Sequence, residues 1–172
     1  MDITPINVLF VCVKKGVRAA IAKAIVEQQS NGMIQATCSG FETGGTPQAI
    51  LDELSNLLDV SIETESKTVF EYKRRNENFD YVITLCDQVS HEQCNVFVEC
   101  VNVVCSHIPY KLHWAIPNLG VALELSGNDR TIFVKKIIDQ ITLEVAQLLS
   151  NTQAKDLTTS YVSPHLKQLN QK

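Results

Sequence analysis

Asn7-Val8-Leu9-Phe10-Val11-Cys12, running directly into Val13-Lys14-Lys15-Gly16-Val17-Arg18, decides how the chain is read. From Val8 the first stretch is apolar and rich in β-branched and aromatic residues with no polar alternation, the pattern of a central strand covered on both faces. It stops at Lys14-Lys15-Gly16. From Val17 the spacing turns helical, with Val17, Ile21 and Ile25 on one stripe, Ala22 and Val26 widening it, and Asn31-Gly32 as a stop signal. A buried strand, a tight turn and a helix open a parallel α/β sheet.

Outward from this unit the rhythm continues. Residues 33–39 read as a second strand, residues 47–58 as a helix with Thr46 as N-cap and Pro47 at its first position, and residues 79–85 as a third strand. The fourth strand is expected from residues 101–105 or 110–116. Ile132, Phe133, Ile138, Ile141, Val145 and Leu148 fall at helical spacing, so residues 128–149 read as a long closing helix capped by Asn128 or Ser126. The expected fold is α/β: three layers, a four-stranded parallel sheet with helices on both faces, doubly wound through right-handed crossovers. Residues 1–150 form the domain, and residues 151–172, polar and containing Pro164, form a tail.

At 172 residues, 45% apolar and 20% charged, with seven glycines and five prolines, the chain has the makings of one packed core and not of a disordered or low-complexity protein. Fifteen Lys and Arg against nineteen Asp and Glu give a charge of -4, which offers no general surface for nucleic acid or an anionic membrane. Any anion site must be local. No apolar run approaches the roughly 20 residues of a membrane span, and residues 6–13 are too short and wrongly flanked for a signal peptide. A cytoplasmic protein is expected, and its six cysteines are then read as buried, metal-binding or reactive rather than as disulfide staples.

Ligands of doubly wound sheets sit at the carboxyl ends of the strands. There, Cys12 stands six residues before Arg18 in a turn entering a helix. The backbone N–H groups of Val13, Lys14, Lys15, Gly16, Val17 and Arg18 can converge with the helix N-terminus on a tetrahedral oxyanion. Arg18 can hold two of its oxygens in bidentate fashion. The same positive field, reinforced by Lys14 and Lys15, is expected to lower the Cys12 pKa toward the nucleophilic thiolate.

The arrangement resembles the low-molecular-weight protein tyrosine phosphatase superfamily, and within it the thioredoxin-coupled arsenate reductases, from Asn7 to about Leu149. The resemblance rests on the strand-Cys-x5-Arg-helix opening, on Cys38-Ser39-Gly40 with Pro47 beginning the next helix, and on Ser66-Lys67. Its reductase-like part is Asp80-Tyr81-Val82-Ile83-Thr84-Leu85-Cys86 with Cys94 eight residues on and His113-Trp114 beyond. The resemblance implies that Cys12 attacks arsenate or a phosphate ester, that Cys86 resolves the adduct, and that Cys94 takes over the disulfide for thioredoxin to reduce. It implies no cofactor, and it needs an accessible mobile segment, for which the polar residues 87–95 are the candidate.

The chain departs from the family at several points. Lys14 and Lys15 replace Gly and Asn, Ala19 replaces a Ser or Thr that eases thiolate departure, and Val17 replaces a second loop cysteine of the phosphatases. After His113-Trp114 the family's Asp-Pro acid is replaced by Ala115-Ile116-Pro117-Asn118-Leu119, and no Asp or Glu lies between Glu99 and Glu124. Asn118 stands at the acid position and cannot titrate. The alternative to an enzyme is therefore a degenerate oxyanion-binding or sensing protein.

Zinc at Cys86, His91, Cys94, Cys100, Cys105 and His107 is not expected, since only Cys100 and Cys105 have knuckle spacing and the residues between them read as strand. Cys38, Cys100 and Cys105 read as small buried hydrophobes. His91, His107 and His165 read as surface or structural histidines, and Trp114 as a core or pocket-rim residue.

Overall fold

The computed structural model describes residues 4–14, 17–42, 46–62, 67–87 and 94–153. Strand β1 (Ile6–Lys14) lies at the centre of the sheet because Val8 through Cys12 are all buried, on alternating faces. Helix α1 (Val17–Gln29) follows, and the chain turns away from it through Asn31 and Gly32, both at positive φ (49° and 80°), where glycine carries no steric cost. Next come β2 (Ile34–Glu42), α2 (Gln48–Leu58), α3 (Val69–Arg74), β3 (Tyr81–Cys86), α4 (Cys94–Val104), β4 (Tyr110–Ala115), a 3-10 helix (Leu119–Glu124) and α5 (Gly127–Gln153). The strands run in the order β2-β1-β3-β4, all parallel, as expected for an α/β sheet with helices on both faces.

Two cores flank the sheet. On one face Val8, Phe10, Cys12, Ile83, Leu85 and Trp114 pack beneath α1, α2 and α5, with Phe10 and Trp114 at 5.4 Å between ring centroids. On the other face Leu9, Val11, Val13, Val82 and Cys86 pack beneath Val69 and Tyr72 of α3 and Phe97, Val98 and Val101 of α4. No described helix is long and apolar enough to cross a membrane.

Four points differ from the expectation. Residues 101–105 do not form a strand: Val101 through Val104 end α4, and the Cys105 N–H bonds the Val101 carbonyl at 2.8 Å. Cys94, Phe97, Val98, Val101 and Cys105 make a buried stripe at helical spacing while Val103 is 74% exposed, so packing periodicity overrides the β preference of the valines. The fourth strand is therefore β4. Pro47 is the N-cap of α2 and not its first helical residue, with extended backbone (φ -56°, ψ 139°), so Thr46 lies one position outside the cap. Helix α3 was not anticipated, although Thr68 and Glu71 carry a capping-box signature; the Thr68 N–H donates to Glu71 Oε2 at 2.7 Å. Helix α5 begins one residue before the expected start and continues to Gln153, into the segment expected as tail.

Candidate active site

Cys12 sits near the carboxyl end of β1 on the face covered by α1 and α5, almost fully buried. Helix α1 begins five residues later, and the N–H groups of Arg18 and Ala19 in its first turn are hydrogen-bonded to the Cys12 sulfur. That places the positive end of the helix at the thiol. Arg18, 6% exposed, donates from Nη1 to the Ile116 carbonyl at 2.8 Å, so the first turn of α1 is tied to the chain just after β4. Val17 is buried in the same core as Cys12, whereas Val13 points to the opposite face. Lys14 ends β1 opposite Glu42 of β2. Lys15 and Gly16 lie outside the described residues.

The electrostatics differ from the expectation of a depressed thiol. Burial pushes the Cys12 pKa above its ordinary value, and the Arg18 guanidinium and the Ala19 and Arg18 N–H groups oppose that rise without cancelling it. The physical reason is the depth of the site: desolvation penalises an anion more than one guanidinium and two amides recover. Cys38, on the same face of neighbouring β2, raises it slightly further.

A second cluster lies on the opposite face. Cys86, last residue of β3, and Cys94, first residue of α4, form a disulfide with Cα atoms 5.9 Å apart. His113 of β4 turns Nε2 toward both sulfurs, 3.6 Å from Cys94 and 3.9 Å from Cys86, and its Nδ1 meets Thr84 Oγ1 at 2.8 Å. Parallel pairing of Thr84 with His113 brings these side chains to one face. All three donor atoms of Cys86, Cys94 and His113 lie within 4.8 Å of one another and are buried. Residues 88–93, with His91 and most of the segment expected to be mobile, lie outside the described residues.

The structure thus brings together Cys12 with Arg18, and Cys86 with Cys94, but places the two pairs on opposite sides of the sheet. Of the remaining cysteines, Cys38 and Cys105 are buried, as expected, while Cys100 is only half-buried. Burial pushes the Cys105 thiol up to about 11. In the sequence His113 stands out only as part of a motif. A histidine between Leu112 and Trp114 in a buried strand needs polar partners, and that requirement was the available signal.

Asn118 caps the 3-10 helix: its Oδ1 accepts from the Gly120 N–H at 2.8 Å. It stands two residues beyond the carbonyl that Arg18 holds, so the segment that carries Asn118 is tied to the first turn of α1 through its backbone.

Residues 7–159 match the model of the low molecular weight phosphotyrosine protein phosphatase family. No curated protein sequence matches the chain. Among solved structures, the chain is similar to an arsenate reductase from Archaeoglobus fulgidus, with 20% identity over 83% of this chain and 98% of that one and a TM-score of 0.56. It is similar to a thioredoxin-dependent arsenate reductase from Corynebacterium glutamicum (19%, 91% and 66%, TM-score 0.55). A tyrosine phosphatase from Erwinia amylovora is a third such structure (11%, 87% and 93%, TM-score 0.58). At these identities the likeness is one of fold.

Proposed function

The chain belongs to the low molecular weight phosphotyrosine protein phosphatase family, and we propose that within it the chain is an arsenate reductase that uses Cys12 as nucleophile and Cys86 and Cys94 as a disulfide relay. The observation that carries this reading is the bonded Cys86–Cys94 pair at the end of the strand adjoining the Cys12 strand. A phosphatase needs no such pair.

In the proposed cycle the Cys12 thiolate displaces water from protonated arsenate, forming a sulfur–arsenic(V) bond with Arg18 and the α1 N–H groups facing the oxyanion. The Cys86 thiolate then attacks the Cys12 sulfur. Arsenic leaves with the electron pair as arsenite, and a Cys12–Cys86 disulfide remains. Cys94 attacks Cys86, freeing Cys12 and forming the Cys86–Cys94 disulfide, which a dithiol such as thioredoxin reduces. No step needs a carboxylic acid to protonate an ester oxygen, which agrees with the lack of any Asp or Glu between Glu99 and Glu124.

That same lack favours a second reading, an oxyanion binder without turnover. Incubation with arsenate, thioredoxin, thioredoxin reductase and NADPH separates the two. Arsenite formation that vanishes in Cys12→Ser and stops after a single turnover in Cys94→Ser is expected. Binding of arsenate or phosphate with no arsenite would establish the binder instead.

A further inference from the structure

Cys86, Cys94 and His113 come from three different elements, are separated by eight and nineteen residues, and meet only in the fold. We propose that, once its disulfide is reduced, this cluster is a binding site for a thiophilic d10 cation, zinc(II), held by both thiolates and His113 Nε2.

The imidazole is already set for a metal. Thr84 Oγ1 lies 3.3 Å from the Leu112 carbonyl, which can only accept its proton, and 2.8 Å from His113 Nδ1; with the hydroxyl proton on that carbonyl, Oγ1 accepts from His113 Nδ1–H. In that arrangement Nε2, which faces both sulfurs, carries the lone pair, the tautomer and the outer partner that metal-bound histidines use. A tetrahedral zinc with Zn–S near 2.3 Å and Zn–N near 2.05 Å requires sulfur–nitrogen separations of about 3.6 Å. The observed separations are 3.6 Å and 3.9 Å. Breaking the disulfide lets the sulfurs part to the roughly 3.8 Å that two thiolates adopt on one zinc.

The stoichiometry is closed. A dithiol or phosphine reductant supplies two electrons and, with water, two protons, giving two thiols and the oxidised reductant. Zinc(II) then displaces both protons and binds two thiolates and a neutral imidazole, leaving one coordination position for water. Burial supports this charge count, because two thiolates in an apolar core are costly unless a cation neutralises them. A bound zinc holds both sulfurs and so protects Cys86 and Cys94 from oxidation.

The proposal stands on geometry and not on the arsenate reading, and its test uses no arsenate. Full-length Cys12→Ser, reduced with a phosphine and freed of metal, is titrated with cobalt(II) and then zinc(II), with affinity measured against a chromophoric chelator. Expected are thiolate-to-cobalt charge-transfer bands at one equivalent, bleached by zinc, and no binding to the oxidised protein. His113→Ala should weaken zinc at least tenfold, and Thr84→Val, which keeps its shape in the core, about 10- to 100-fold. Cys100→Ser should change nothing. Absence of stoichiometric binding, binding retained in Cys94→Ser, or full affinity in Thr84→Val and His113→Ala would overturn the proposal.

Discussion

Cys12 and Cys86 stand on adjacent parallel strands yet project from opposite faces of the sheet, because Cys12 pairs with Leu85, the residue before Cys86. Direct attack of one sulfur on the other therefore requires Cys86 to leave the end of β3. That end is held by pairing with Ala115 and by the Ile116 N–H on the Cys86 carbonyl at 3.3 Å, the contacts such a movement must break. The same Ile116 offers its own carbonyl to Arg18, which links the β4 exit to both sites.

Arg18 is predicted to matter twice. Arg18→Ala should cut turnover of arsenate at least about hundredfold by removing an oxyanion donor. It should also lower stability by about 1.5–3 kcal/mol by removing a buried charged donor to the Ile116 carbonyl. Steady-state kinetics and urea unfolding measure the two effects separately, and a change in one alone would contradict the double role.

For Cys12 the balance between burial and Arg18 predicts iodoacetamide labelling with a midpoint above the ordinary thiol range of about 8.5 in the ligand-free protein. Arg18→Ala should move the midpoint up further, since it removes the main stabiliser of the anion. Ala19→Ser should move it down by placing a hydroxyl beside the thiolate. Phosphate should slow labelling. Labelling indifferent to phosphate would remove the oxyanion site.

Asn118→Ala should cost about 1 kcal/mol through loss of the cap on Gly120. Asn118→Asp keeps the acceptor and should leave stability unchanged. Near the loop it should raise hydrolysis of an alkyl phosphate about tenfold, with less gain for an aryl phosphate with a good leaving group, and add an acidic limb to the pH profile. A folded, phosphate-binding Asp variant with no leaving-group dependence would show that position 118 does not reach a bound ester.

Cys105 should make the fold sensitive to alkali. Its thiol is raised from 9.0 to about 11 in the folded chain, so above pH 9 the unfolded chain loses this proton first and stability falls as pH rises. The slope approaches about 1.4 kcal/mol per pH unit for one group before saturating near the folded value. Comparison of urea midpoints at pH 8 and pH 10 between the wild type and Cys105→Ala, each kept reduced, measures it. An equal loss in both proteins would assign the alkaline sensitivity elsewhere.

What the sequence made legible follows from the physics of each segment. Strands β1 and β3 carry continuous apolar runs because both of their faces are covered, and they stand out without knowledge of their neighbours. The Val-rich end of α4 reads as a strand because its exposed Val103 and half-buried Val104 mimic one unless the stripe from Cys94 to Cys105 is traced. The pairing of Cys12 with Arg18 was visible since a single turn joins them. The opposed faces of Cys12 and Cys86 depend on the register between two strands, and the His113 cluster depends on three elements meeting. Neither is written in local spacing.

The most direct test of the relay is to trap its first disulfide. Cys94→Ser, reduced and then exposed to arsenate without thioredoxin, should accumulate one Cys12–Cys86 bond and release one arsenite per chain, identified by peptide mapping after acid quench. Cys12 and Cys86 both remaining as free thiols, or Cys12 pairing with Cys38 in their place, would contradict the account.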